Sequence, residues 1–451
     1  MRRSFFNILL AGAIAVSTAF GAAAQAILGI DGEESTSIGI YIKDLRTGKV
    51  LTDHNSQLAL TPASVMKAIT TASALSITGP DRRFTTPVVL KGHAEGATWH
   101  GDIVVRSCAD PTMESENFKS HRGFCDSIAA GIRRAGISKV TGRIVVEQTL
   151  SNPGPIAQWE IEDVAWPYGA GLFGMNWRDN TVTLYPATGE TKPDVPGLDI
   201  ELRRSASGND LVRGVDSERL IVYARSTTDK KWAVRTTMPD PAAVFAAELT
   251  RTLKDKGIAL GGASGASGES PKEKTVYTHR SPRFAEIMRS LMVRSDNLFA
   301  EGMLRAINPG ASRKDVIKRE KELWATRGIN PKYTIINDGS GLTRANRLSA
   351  RFIGDVLEWM AKSPQADTYS SFFPRAGKEG TLRGFLAKSN LKGSIALKTG
   401  SVSSVQAYAG YKLDSKGKPT HVVVILVNGF FCPRKQVREG AESLLINLFD
   451  K

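Results

Sequence analysis

Ser64 and Lys67 stand three residues apart in the stretch Thr61-Pro62-Ala63-Ser64-Val65-Met66-Lys67, and the Ala- and Thr-rich run that follows holds no glycine until Gly79. A proline just ahead and an apolar, glycine-free run behind predict a buried helix with Ser64 near its start. Residues three apart share a helix face, so the amine of Lys67 would stand beside the hydroxyl of Ser64. A helix N-terminus also favours negative charge building on a nearby oxygen. This is the layout of an activated serine, with the plainer alternative that Ser64 caps the helix and Lys67 is solvated. Two more polar clusters follow: Ser295-Asp296-Asn297 between helical stretches, and Lys398-Thr399-Gly400-Ser401 in a β-rich stretch. The second offers a cation and hydroxyls beside a glycine that permits close backbone approach, which suits a carboxylate. Each has a bland counterpart, a helix cap for the first and a strand edge with its turn for the second.

The elements that must position these groups come from both chain ends. Ser37 to Lys43 and Lys49 to Thr52 read as a hairpin that leads into the Ser64 helix. Ile395 to Lys398, Val405 to Leu413 and His421 to Asn428 read as antiparallel strands, and Arg434 to Phe449 as a closing helix. Pro282 to Met292, Leu298 to Ala306 and Arg347 to Lys362 read as helices, so one sheet built from both ends would be flanked by helices. Between them lie short strands (Thr86 to Leu90, Gly101 to Arg106, Thr181 to Tyr185, Asp199 to Arg203, Leu220 to Ala224) and helices at Ser127 to Ala135 and Ala242 to Lys256. The glycine-rich run Gly261 to Gly268 reads as a flexible loop, and the whole middle of the chain as an insertion.

The 451 residues suggest roughly three domains with ample core. Met1-Arg2-Arg3, a charge-free apolar run through Ala24 and the small-residue site Ala24-Gln25-Ala26 form the pattern of a cleaved secretory signal, residues 1–26, with an uncleaved membrane anchor as the alternative. The net charge of +15, which falls to +13 once Arg2 and Arg3 leave with the signal, fits peripheral contact with an anionic envelope surface or simple solubility. Export and the lack of any nucleic-acid motif argue against nucleic acid. The six histidines include no H-E-x-x-H and the three cysteines are far apart, so no metal is expected. An exported chain allows disulfides, and Cys108 with Cys125 is the pair expected to bridge.

S-x-x-K, S-D-N and K-T-G in this order form the combined signature of penicillin-binding proteins and class A β-lactamases. The sequence resembles that serine acyltransferase superfamily. More narrowly it is similar to the class C low-molecular-mass penicillin-binding proteins, the D-alanyl-D-alanine carboxypeptidase/endopeptidase family. Asp110-Pro111-Thr112, Asp338-Gly339-Ser340-Gly341-Leu342, Gly380-Thr381-Leu382 and Ala409-Gly410-Tyr411 extend the likeness over nearly the whole chain. One departure is Arg106-Ser107-Cys108-Ala109, where family members usually carry glycines. Far more chain separates Ser64 from Ser295 than a compact β-lactamase needs, and the Glu-x-x-x-Asn of class A β-lactamases is absent.

The resemblance implies an α+β fold: a β-lactamase/transpeptidase-like domain with an antiparallel sheet flanked by helices, and two smaller β-rich domains inserted. Its expected borders are 27–84 with 276–451 for the main domain, 85–99 with 172–275 for the second, and 100–171 for the third. It implies a periplasmic or cell-envelope hydrolase acting on peptidoglycan stem peptides and cross-links, inhibited by β-lactams, without cofactor. Ser64 would be the nucleophile, Lys67 its base, Ser295 the proton relay and Asn297 the holder of the acyl-side amide. Lys398, Thr399 and Ser401 would bind the terminal carboxylate, backbone N–H groups of Ser64 and Ser401 would form an oxyanion hole, and Lys398 would be the like charge that lowers the pKa of Lys67. A slow-turnover penicillin- or peptidoglycan-binding protein and a β-lactamase are the alternative readings.

Overall fold

A computed structural model describes residues 26–214, 219–262 and 272–450. The expected signal peptide lies outside these residues, apart from Ala26, as does the glycine-rich loop beyond Gly262. The first unit is built on a five-stranded antiparallel sheet ordered Ile395–Val402, Val405–Leu413, Pro419–Asn428, Ser37–Asp44 and Val50–His54. First and last parts of the chain thus share one ladder, with Ile40 opposite Ile425.

Side chains alternate across a strand, and Pro419–Asn428 divides accordingly. Val422, Val424 and Leu426 face a core with the helices Met66–Thr78, Phe284–Arg294, Asn297–Ala306 and Ala350–Lys362. Val423, Ile425 and Val427 face a second core closed by Val437, Ala441 and Leu445 of the helix Arg434–Phe449. Both faces are covered, which explains why the strand reads as an unbroken apolar run. The helix Arg313–Thr326 was not expected from the sequence. It buries only Val316, Glu320 and Trp324, a line of three residues four apart, and the glutamate interrupts the apolar period that a helix reading relies on.

The inserted part has its own sheet. Thr85–Glu95 and Thr98–Arg106 form a hairpin, flanked by Lys272–Arg280 on one side and by Lys139–Val140 and Ile144–Glu147 on the other. The helices Phe124–Arg134 and Pro241–Asp255 cover it through Phe124, Ile128, Phe245 and Leu249. The expected borders after residues 99 and 275 fall inside strands of this sheet. Leu90 pairs with Ile103 and Thr275 with Val89, so the residues on either side of each border belong to one ladder. A smaller three-stranded sheet of Asp199–Arg204, Arg219–Ala224 and Asp210–Arg213 lies beyond it, with a separate core around Leu211, Leu220 and Val222.

The expected Cys108–Cys125 bridge is corrected: Cys108, Cys125 and Cys432 are all free thiols. Cys125 is buried in the core of the inserted sheet, whereas Cys108 packs against the core of the first unit with its sulfur 3.5 Å from Thr86 Oγ1. The two side chains serve different cores.

Candidate active site

Ser64 sits in a single 3₁₀ turn, Ala63–Val65, that runs straight into the helix Met66–Thr78. No side chain caps either element, so the hydroxyl of Ser64 has no capping role. Ala63, just before it, holds a left-handed backbone with φ 45°, a conformation costly for a residue with a Cβ. Two glycines allow the surroundings to close on this turn. A Cβ on Gly400 would lie 2.6 Å from the carbonyl oxygen of Pro62, and one on Gly341, at φ 76°, would lie 1.9 Å from that of Ala63.

Lys67 lies one turn along and is fully buried. Its Nζ donates to Ser64 Oγ at 2.9 Å, to Asn297 Oδ1 at 2.6 Å and to the carbonyl oxygen of Ser340 at 2.6 Å. Burial brings its pKa down to about 8, against the upward pull of Asp338, Asp296 and Glu301. The expectation that Lys398 supplies the lowering charge is therefore corrected, since removal from water does it. The mutual repulsion is felt at Lys398, whose pKa burial first and the Lys67 charge second hold well below the ordinary lysine value.

The Ser295-Asp296-Asn297 triplet does structural and positional work together. Ser295 ends the helix Phe284–Arg294 in a left-handed conformation at φ 59°, and Asp296 caps the next helix by accepting from Phe299 N at 2.9 Å. Burial raises the Asp296 carboxyl to about 6. Capping turns Asn297 toward Lys67, and its Nδ2 donates to the Tyr168 carbonyl oxygen at 2.8 Å. On the facing strand, Lys398 Nζ donates to Ser295 Oγ at 2.9 Å and to the Thr399 carbonyl oxygen at 2.6 Å. Two buried amines thus address two serine hydroxyls from opposite sides.

All seven residues expected from the sequence meet here. Ser64, Ser295, Asn297, Thr399 and Ser401 line a cleft of about 430 Å³, with Lys67 and Lys398 buried beneath it. Asp163, Tyr168, Arg344 and Thr381, none of them expected in the site, line the same cleft. Thr381 Oγ1 lies 2.7 Å from Thr399 Oγ1 and orients that hydroxyl. Tyr168 comes from the inserted part, a contribution that no local sequence signal announces.

The turn Asp338 to Thr343 fixes the carbonyl that Lys67 needs. Asp338 accepts from Gly341 N, Asn346 Nδ2, Trp159 Nε1, Ser340 Oγ and Thr343 N, at 2.7 to 3.1 Å. Glu301 takes the N–H groups of Gly339 and Ser340, both at 2.9 Å, and pairs with Arg313 at 2.7 Å. Asp338→Ala would leave several buried donors unsatisfied at about 1 to 3 kcal/mol each before relaxation. It is expected to cost about 3 kcal/mol or more in denaturant unfolding; a loss under about 1 kcal/mol would mean the turn holds itself.

The sequence model of the D-Ala-D-Ala carboxypeptidase 3 (S13) family matches residues 24–445. The D-alanyl-D-alanine carboxypeptidase of Actinomadura sp. (strain R39) is 26% identical over 435 residues, covering 89% of this chain and 79% of that protein. The crystal structure of penicillin binding protein 4 (dacB) from Haemophilus influenzae superposes with TM-score 0.77 at 22% identity, covering 92% of this chain and 97% of that one. The same Haemophilus influenzae protein complexed with a β-lactam superposes with TM-score 0.73, at the same identity and coverage.

Proposed function

Because the chain belongs to the D-Ala-D-Ala carboxypeptidase 3 (S13) family, we propose that it hydrolyses the terminal D-alanyl-D-alanine bond of peptidoglycan stem peptides through an acyl-enzyme at Ser64. The observation that carries this reading is the 2.9 Å contact of Lys67 Nζ with Ser64 Oγ, with a lysine near pKa 8. At neutral pH a useful fraction of that amine is free to take a proton, which an ordinary lysine cannot offer. Ser64 Oγ bonds to the carbonyl carbon and its proton passes to Lys67. The C–N bond then breaks, Ser295 relays a proton to the departing amine, and D-alanine leaves. Water next adds to the ester and releases the shortened peptide, restoring Ser64. Backbone N–H groups of Ser64 and Ser401 are the oxyanion donors, each worth about 3 to 4 kcal/mol by precedent. A β-lactam acylates Ser64 by the same attack, but its amine stays tethered and hinders the water step.

Asn297 holds the acyl-side amide by exchanging its bond to the Tyr168 carbonyl, and Lys398, Thr399 and Ser401 hold the free carboxylate. That carboxylate supplies a counter-charge that pulls the lowered pKa of Lys398 back upward. Hydrogen bonds to a charged partner contribute roughly 1.5 to 3 kcal/mol, so Lys398→Ala is expected to slow D-alanine release by about one to two orders of magnitude. On a substrate whose terminal carboxylate is amidated the loss should be smaller. Equal losses on acid and amide would remove Lys398 from the carboxylate site.

The leader pattern supports export to the cell envelope, and the net charge of +13 that remains once Arg2 and Arg3 leave with it favours peripheral contact with anionic surfaces there. Among the described residues no helix is long and apolar enough to cross a membrane. Release of D-alanine from a peptide ending in D-Ala-D-Ala tests the reading. Labelling by penicillin without release would leave a slow-turnover binding protein, and rapid penicillin hydrolysis a β-lactamase.

A further inference from the structure

A cavity away from the catalytic cleft holds a buried charge that the fold leaves unanswered. It measures about 280 Å³, near the small end of small-molecule pockets, and shares no lining residue with the cleft around Ser64. Its walls come from both parts of the chain: Phe84, Arg305 and Pro309 from the first unit, Cys108 and Leu150 from the inserted part. At its edge the two parts touch closely, since a Cβ on Gly302 would lie 2.6 Å from Pro111 Cγ.

Arg305 sets this cavity apart. It is only 4% exposed. Its Nη2 donates to the carbonyl oxygen and to Oγ of Ser151, both at 2.9 Å, whereas its Nη1 is buried without a partner. Glu301, one helical turn back, is committed to Arg313 and to the N–H groups of Gly339 and Ser340. Burial first and the Arg313 charge second hold the pKa of Arg305 below the ordinary arginine value, against the pull of Glu301, yet a guanidinium stays charged in a protein. A buried donor on a charged group is costly to leave unmatched, and a water molecule could accept from the N–H without answering the charge. Arg82, exposed, and Arg83, half-buried, line the same cavity. Among the described residues none of the three arginines has a carboxylate within ion-pair distance, and no acidic side chain lines the cavity.

We propose that this cavity is a second binding site, for a small amphiphilic anion with a carboxylate head on a short apolar body. The head takes Nη1 of Arg305, and Arg82 and Arg83 draw it inward. The body lies along Phe84, Leu150 and Pro309, which gives it apolar surface to bury that a bare inorganic ion lacks. One free guanidinium nitrogen suits a singly charged head. The bound molecule spans the seam between the first unit and the inserted part. Arg305 stands eight residues along the helix Asn297–Ala306 from Asn297, a rise of about 12 Å, so the site is separate from the acyl-transfer chemistry and does not depend on it.

The test titrates the full chain in a calorimeter with octanoate, octanamide and inorganic phosphate at one ionic strength, so that screening is the same for all three. Octanoate is expected to bind with a Kd below about 1 mM. Octanamide keeps the apolar body and loses the charge, and should bind about tenfold or more weaker, the scale of one charge-assisted hydrogen bond. Arg305→Met keeps an apolar stem and loses the guanidinium, and should weaken octanoate by a similar factor, with thermal unfolding showing that the variant is folded. Adsorption to the basic surface at large would survive that substitution. No binding of octanoate, binding of octanamide as tight as that of octanoate, or octanoate affinity unchanged in Arg305→Met would overturn the site. Phosphate bound as tightly as octanoate would overturn the amphiphile assignment. The comparison of octanoate with octanamide needs only the wild type, so it decides the matter even where the variant fails to fold.

Discussion

Ser64→Ala is expected to abolish both penicillin labelling and D-alanine release, with turnover down by about 10⁴-fold or more, as removal of a hydrolase nucleophile does. The loss should come without unfolding. Ser64 caps no helix, and its hydroxyl receives one hydrogen bond, from Lys67. Lys67 keeps Asn297 Oδ1 and the Ser340 carbonyl oxygen as partners in the variant. Stability is therefore expected to change by less than about 1 kcal/mol, and thermal unfolding checks this beside the assay. A variant that still labels with penicillin would place the nucleophile elsewhere.

Lys67→Ala should cut the acylation rate by about 10² to 10⁴-fold, the usual contribution of a positioned general base. The pH profile of the wild type gives the same claim a second reading. The proposed base is the neutral amine, and burial sets its pKa to about 8. Below that value the amine is mostly protonated, so acylation should rise about tenfold per pH unit and level off above about pH 8. A flat profile between about pH 6 and 8 would exclude Lys67 as the base. The variant differs from Ser64→Ala in one further respect, because it orphans Asn297 Oδ1 and the Ser340 carbonyl oxygen and leaves Asp338, Asp296 and Glu301 without the cation among them. Its stability should fall measurably, where that of Ser64→Ala should not.

The residues of the candidate site were legible because they come in short runs. The spacing of Ser64 and Lys67 needs only a helix to bring them together, and a glycine-free run ending at Gly79 predicts one; the helix observed is Met66–Thr78. Strong periodicity likewise revealed the helix Arg434–Phe449 and the strand Val405–Leu413. What escaped depends on partners distant in sequence. Glu301 belongs to a largely apolar helix, and only the fold shows that it fixes Gly339 and Ser340. Trp159 and Tyr168 reach the site from the inserted part through Asp338 and Asn297. The origin of the Lys67 shift escaped for a related reason, because burial is a property of the packed molecule whereas a neighbouring lysine is visible in a motif. The border expected after residue 99 falls inside the strand Thr98–Arg106 because hairpin strands look alike whether they pair with each other or belong to separate sheets.

The central claim is a covalent ester on one named oxygen, and intact-protein mass spectrometry after incubation with a penicillin tests it most directly. One adduct of the full penicillin mass is expected, located by proteolytic mapping to the peptide that holds Ser64 and absent from Ser64→Ala. An adduct on any other residue, or a wild-type protein that stays unmodified, would contradict it.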